Sequence, residues 1–272
     1  MDCIEVQDIV VPALGFGTFR MTGDECAEAV RGAIDAGYRH LDTAEIYGNE
    51  EDVARGIRDA RVPRDELFLT TKAWMEDLSA DGVKKSLEGS LRRLDTDYVD
   101  LWLIHWPNPE YPLHDTLAAM SGLVIKGRVK HLGVSNFPAA LFDDAAAMAR
   151  IVCNQVEYHP YLSQDRVVAA ARDRDAFVTA YAPVAMGKVR DDTVLRKIGE
   201  HYGKTAVQVT LRWLIQQRNV AAIPKAAGPK HVRENAEIFD FVLTDAEMAA
   251  IRALARGERF IDPEFAPDWD PA

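Results

Sequence analysis

Short runs of β-branched and aromatic residues alternate along this chain with stretches in which apolar residues return every three or four positions. The runs near 12–16, 40–44, 67–72, 98–105, 131–136, 152–158, 177–182 and 220–224 read as strands. Between them, Cys26/Ala27/Val30/Ala33/Ile34, Val83/Leu87/Leu91/Leu94 and Val207/Leu211/Leu214/Ile215 each fall on one face of a helix, the stripe that a helix lays against a sheet. Eight such units close a parallel barrel, so the expected fold class is α/β, a (β/α)8 TIM barrel. Two extra helices are expected near 192–202 and 244–255, the second opened by the capping box Thr244-Asp-Ala-Glu247. A hairpin over Ile4 to Val11 precedes the barrel. The tail from Gly257, rich in Pro, Asp and aromatics, is expected to cross the surface as a loop. Gly15-Phe-Gly17 imitates the start of a dinucleotide fingerprint, but the third glycine and the following helix are missing, which disfavours a doubly wound sheet.

The length of 272 residues suits one barrel, which needs about 250, so 1–272 is expected to be a single domain. Acids outnumber bases 43 to 32 for a formal charge of -11, which argues against nucleic acid or an anionic membrane surface as partner. Cys3, Cys26 and Cys153 are scattered, with no metal-ligand spacing, and fit a reducing cytoplasm. No metal is expected. The N-terminus lacks the basic region and apolar run of a signal peptide, and no later stretch reaches membrane-spanning length.

In such a barrel the C-terminal ends of the strands open on one face, where chemistry collects. Here those ends carry Asp42, Lys72, His105, Ser135-Asn136, Gln155 and Tyr181, with Tyr47 five residues beyond Asp42. Each has an ordinary structural use, as a cap, a solvated lysine or a buried hydrogen-bonder; together they point to a ligand. A phenol with a pKa of about 10 is a poor acid near neutrality, and a nearby ammonium lowers it. A carboxylate beside the lysine keeps that ammonium charged, and His105 can orient a carbonyl oxygen. The set holds no obvious nucleophile and lacks an electron source, which implies a hydride-carrying cofactor. A Schiff-base aldolase built on Lys72 is a weaker reading, because a lysine held charged beside Asp42 is a poor nucleophile. A metal hydrolase on His105 and Asp42 is weaker still, with no second histidine at ligand spacing.

The motifs Leu14-Gly-Phe-Gly-Thr18, Asp42-Thr-Ala with Tyr47-Gly-Asn-Glu50, Thr70-Thr-Lys72, Asp100-Leu-Trp-Leu-Ile-His105-Trp-Pro107, Gly133-Val-Ser-Asn-Phe137, Asn154-Gln-Val-Glu157 with His159-Pro160, Ala180-Tyr-Ala-Pro183 and Ile223-Pro-Lys225 resemble the aldo-keto reductases in order and spacing. The resemblance spans almost the whole chain. It implies Tyr47 as general acid, Lys72 and Asp42 tuning it, and His105 orienting substrate. It further implies that Ser135, Asn136 and Gln155 hold a nicotinamide carboxamide while Tyr181 stacks on the ring. Gly17, Thr18, Phe19, Asp42, Pro183, Val184, Ile223, Lys225, Ala226, His231, Glu234 and Asn235 complete the implied cofactor set. A non-catalytic nicotinamide-sensing subunit is the alternative.

Many NADPH-dependent members of that family have Ser where this chain has Ala226 and Arg where it has His231. Arginine offers phosphate a permanently charged fork, whereas histidine is mostly neutral above about 6.5, so NADPH is expected to be preferred by a modest margin with NADH tolerated. Lys230 can compensate; Arg233 is expected to point elsewhere. Beside the larger members of that family the loops 106–114 and 185–191 are brief, which implies an open pocket lined by Phe19, Trp74 and Trp106, with the tail 257–272 over it and Trp269 of that tail a fourth candidate. These features are similar to the compact bacterial 2,5-diketogluconate and methylglyoxal reductases. They imply a monomer acting on small aldehydes, 2-oxoaldehydes, keto sugars or keto acids.

Overall fold

The computed structural model describes residues 2–226 and 228–271. An antiparallel hairpin, β1 (Cys3–Val6) and β2 (Ile9–Pro12), comes first. Its Ile4, Val6, Ile9 and Val11 are buried, and Gln7 at its turn donates to the carbonyls of Ile151 and Arg174. The hairpin therefore seals the end of the barrel where strands begin, leaving the opposite end for chemistry.

Eight parallel strands follow: β3 (Phe16–Gly17), β4 (His40–Asp42), β5 (Phe68–Ala73), β6 (Val99–Ile104), β7 (Val129–Ser135), β8 (Ile151–Glu157), β9 (Phe177–Tyr181) and β10 (Val220–Ala222), hydrogen-bonded in sequence order. Leu14 bridges Ala222 in parallel, with Gly15 N donating to Ala222 O at 2.9 Å and Ala222 N to Ala13 O at 2.9 Å, so the sheet meets its own first strand. The expected first strand at 12–16 is shorter and shifted, because Pro12 belongs to the hairpin. A Cβ on Gly15 would lie 2.8 Å from the His40 ring, and one on Gly17 would lie 2.9 Å from Ile223 O. These two glycines serve strand packing, which explains a fingerprint with no helix behind it.

The helices α1 (Gly23–Asp35), α2 (Glu50–Ala60), α3 (Ala80–Arg93), α4 (Leu113–Ile125), α5 (Ala139–Met148), α6 (Asp165–Asp173), α8 (Ala206–Ile215) and α9 (Pro229–Ala236) follow successive strands. The extra helices are α7 (Thr193–Tyr202) and α10 (Asp245–Arg252), the latter with its Thr244–Glu247 capping box formed. The stripes on α1 and α3 are buried as expected. On α8 the stripe is not a stripe: Val207 is half-buried while Gln208, Thr210 and Arg212 are buried. The Gln208 amide donates to Glu234 O and Glu237 O, and Arg212 pairs with Asp2, so partners from other segments cover this helix on most sides. The segment 185–191, expected as a short loop, is a kinked 3-10 stretch with Met186 at φ 53°.

Candidate active site

Asp42 ends β4, and the chain then turns through a single 3-10 turn, Glu45–Tyr47, that stops at Gly48 in the left-handed region. Asn49 locks this turn in place. Its amide donates to Thr18 O and Met21 O, and its carbonyl accepts from the Thr43 hydroxyl at 2.8 Å. Glu45 ties the turn to its neighbours by accepting from the Trp74 backbone N–H and from the Ser86 hydroxyl. Glu50, buried and paired with Arg93 at 2.7 Å, accepts from Thr71 next to Lys72. Glu45 and Asn49 are not among the site residues expected from the sequence. Asn49 stood inside a motif that could have drawn attention; Glu45 carried no local signal.

The ammonium of Lys72, wholly buried, lies 2.6 Å from Asp42 Oδ1 and donates to Thr43 O at 2.8 Å. Asp42 Oδ2 accepts from the Gln155 amide at 2.7 Å. Burial pulls the Lys72 pKa down, opposed mainly by the Asp42 charge. Lys72 Nζ stands 5.1 Å from the centre of the Tyr47 ring, and that ring meets His105 edge-on at 5.7 Å. The four side chains thus converge at one mouth.

The Tyr47 phenol corrects an expectation. Its pKa stands well above the ordinary value, first because burial disfavours the phenolate and second because Asp42 repels it. Burial outweighs the nearby ammonium, whose charge is already engaged by Asp42. His105 is driven well below the usual imidazole range by burial and then by Lys72, so its ring is neutral, and its buried Nδ1 has no hydrogen-bond partner among the described residues.

Beside this cluster the polar strand ends bond to one another. The Ser135 hydroxyl donates to Gln155 O, Asn136 Nδ2 donates to His105 O at 2.9 Å, and Tyr181 donates to Asn136 Oδ1 at 2.7 Å. At the far end, Lys225 donates to Arg20 O, and Glu234 accepts from His231 at 3.0 Å with Lys230 at 3.6 Å. Asn235 and Ala226 are buried, while Lys225, Lys230, His231 and Arg233 are exposed. The structure separates these polar groups into two sets, amides and hydroxyls near Tyr181 and cations near Lys225.

Aromatic rings wall the mouth. Phe19 packs on Tyr47 at 4.9 Å and Trp74 on His105 at 5.2 Å. The tail contributes Phe265, which touches both Trp74 at 5.9 Å and Trp106 at 5.3 Å, and Trp269, 6.0 Å from Trp106. Phe265 was missing from the expected lining, since nothing local distinguishes it from its neighbours.

The sequence pattern of the Aldo/keto reductase family matches residues 13–256. The chain is 38% identical over 268 residues to the methylglyoxal reductase DkgB of Escherichia coli O157:H7, covering 96% of this chain and all of that protein. It is 40% identical over 254 residues to the glyoxal reductase of Bacillus subtilis (strain 168), covering 92% of this chain and 91% of that one. Among solved structures, a provisionally assigned 2,5-diketo-D-gluconic acid reductase B superposes with a TM-score of 0.97 at 44% identity, over 100% of this chain and 98% of that one. The Bombyx mori aldo-keto reductase, crystallised with NADP, gives 0.91 at 34% identity over 98% and 99%. With its barrel, its converging strand ends and these likenesses, the chain belongs to the aldo/keto reductase family.

Proposed function

We propose that this protein is an NADPH-dependent carbonyl reductase in which Tyr47 is the general acid. The observation that carries the reading is the buried Lys72–Asp42 pair beside Tyr47 and His105 at the open end of the barrel. The NADP-bound relative and the relatives named for glyoxal and methylglyoxal reduction support it.

The donor set suits a nicotinamide dinucleotide. Ser135, Asn136 and Gln155 offer hydroxyl and amide groups to a carboxamide, Tyr181 offers a ring face, and Lys225 and Lys230 offer cations to a phosphate. Gly17, Thr18, Pro183, Val184 and Ile223 provide backbone and apolar walls, and Glu234 and Asn235 would meet the adenine. When bound, the reduced nicotinamide supplies the hydride.

As hydride reaches a carbonyl carbon, negative charge grows on the oxygen. The neutral His105 ring can donate a hydrogen bond to that oxygen without taking its proton. Tyr47, held protonated by burial, passes its proton to the alkoxide, a far stronger base than a phenolate. The phenolate left behind then faces the Lys72 ammonium, so charge develops where a cation already waits. Phe19, Trp74, Trp106 and Trp269 exclude water from the exchange. The substrates proposed are small aldehydes, 2-oxoaldehydes, keto sugars or keto acids, and the protein is proposed to act as a cytoplasmic monomer.

The test is loss of reduced-nicotinamide absorbance with methylglyoxal and an aldehyde panel, run separately with NADPH and NADH. Turnover with a modest NADPH preference is expected. Tight binding of NADPH with no turnover of any carbonyl would replace catalysis with a sensing role.

A further inference from the structure

Tyr47 and Trp74 both meet the His105 ring edge-on, with centres 5.7 Å and 5.2 Å from it. The two rings arrive there from different segments. Tyr47 comes from the 3-10 turn after β4, and Trp74 from the end of β5, where a second 3-10 turn, Met75–Asp77, begins. One side chain joins the two. Glu45 opens the Tyr47 turn, and its backbone carbonyl closes that turn by accepting from Gly48 N at 3.2 Å. Its carboxylate leaves the turn, with Oε1 accepting from the Trp74 backbone N–H and Oε2 from the Ser86 hydroxyl of α3 at 2.7 Å.

What the carboxylate holds is main chain. The turn after Trp74 is gripped in the same way from the loop that follows β6: Asn108 Nδ2 donates to Met75 O at 2.9 Å and the Tyr111 hydroxyl to Glu76 O at 2.6 Å. The backbone of residues 74–76 is therefore fixed by side chains from two other segments, and Glu45 is the link that reaches from the acid's own turn. Its half-buried carboxylate makes no ion pair among the described residues, so its charge is answered by these two donors. A charge withdrawn from water depends on its hydrogen bonds, and bonds to an ionised acceptor are about twice as strong as neutral ones. Trp74 cannot retreat from the Tyr47 turn without leaving that charge short of a donor, which makes the link stiff.

We propose that Glu45 is a positioning residue that sets the gap between Tyr47 and Trp74, and so selects among carbonyl substrates by the width of the group beside the carbonyl; this rests on the reductase reading. Trp74 also touches Phe265 at 5.9 Å, so a wall held in place by Glu45 presents a fixed ring surface to a ring-bearing aldehyde, while an aldehyde of two carbons makes little use of it. Selection by width thereby falls to a side chain that acts through Trp74 and takes no part in the proton transfer.

The experiment compares 4-methylbenzaldehyde with acetaldehyde at saturating NADPH in wild type, Glu45→Ala and Glu45→Gln. One charge-assisted contact corresponds to about a 10- to 100-fold change. In Glu45→Ala, kcat/KM for 4-methylbenzaldehyde should fall by about that factor, mostly through KM, while that for acetaldehyde changes less than about threefold. Glu45→Gln, which keeps an acceptor for the Trp74 N–H, should restore most of the preference. Amide exchange at Trp74 should accelerate in Glu45→Ala while that of β6 is unaltered. Equal losses for the two aldehydes would overturn the proposal by reducing Glu45 to support of Tyr47 alone, and an unchanged ratio would overturn it outright. If Glu45→Ala does not fold, Glu45→Asp, one methylene too short to reach both donors, carries the same expectation. If wild type reduces neither aldehyde, the reductase reading fails; 4-methylbenzyl alcohol titrated into the protein with NADP, followed by tryptophan fluorescence, then still decides, since equal affinity in wild type and Glu45→Ala would refute the positioning role.

Discussion

At the scale of the residue, the site rests on one buried ion pair. Lys72 and Asp42 are both removed from water, so removing one partner exposes the full desolvation penalty of the other. Lys72→Met should therefore destabilise the fold by about 3–5 kcal/mol in urea titrations, and adding Asp42→Leu should return part of it; no recovery in the double variant would mean that the ions do not depend on each other. Cofactor choice is also a residue matter. His231 is spent on Glu234 in this structure, so His231→Arg should raise the NADPH over NADH ratio of kcat/KM by about tenfold, the worth of one added charge contact. An unchanged ratio would remove position 231 from the phosphate site. Three of the four converging side chains were legible in the sequence because they fall at strand ends, and Tyr47 because it follows the strand-end Asp42 by five residues. The raised pKa of Tyr47 was not, because burial is created by Phe19 and other chain segments far from it.

Among elements, the tail differs most from the rest. It has no helical or strand period, and it is held by hydrogen bonds to Glu157 and by contacts of Phe265 and Trp269 with Trp74 and Trp106. Each amide-to-carboxylate bond contributes about 1.5–3 kcal/mol. In Glu157→Ala, amide exchange at Phe260 and Ile261 should accelerate strongly while that of β5 and β6 is unaltered, and uniform acceleration would instead mean loss of the whole fold. Composition reads the tail as a loop across the surface, and its anchor is not legible there. Glu157 lies in the Asn154-Gln-Val-Glu157 run, and a buried strand acid gives no sign of which distant amides it will accept from. For the hairpin and the two extra helices, alternation and the Thr244 capping box were sufficient signals, since those elements are set by local pattern.

For the whole molecule, the eightfold beat of strands was enough to expect the barrel, although two-residue β3 shows why its edges were not legible: closure depends on Leu14 meeting Ala222 across the chain. The molecule also carries a pH dependence. His40 and His105 are both held below the ordinary imidazole pKa, by burial first. Unfolding returns them to about 6.5, so below that pH the unfolded chain binds more protons than the folded one. Stability should fall as pH drops from about 6.5, by about 1.4 kcal/mol per pH unit for each histidine, until the folded values are reached. Glu234, Asp240, Glu247 and Glu258, whose pKa values are lowered, push in the same direction, weakly where exposed. Urea midpoints at pH 7.5 and 5.5 check this; equal stability would mean that the imidazoles ionise inside the fold.

Tyr47 is proposed to give up the proton, and a comparison of Tyr47→Phe with wild type for NADPH affinity and for kcat on an aldehyde both bind puts this to the test. Affinity within about twofold of wild type, with kcat lower by about 10²–10⁴-fold, is the outcome expected of a lost general acid. A variant that turns over at near the wild-type rate would contradict it and move the proton to another group.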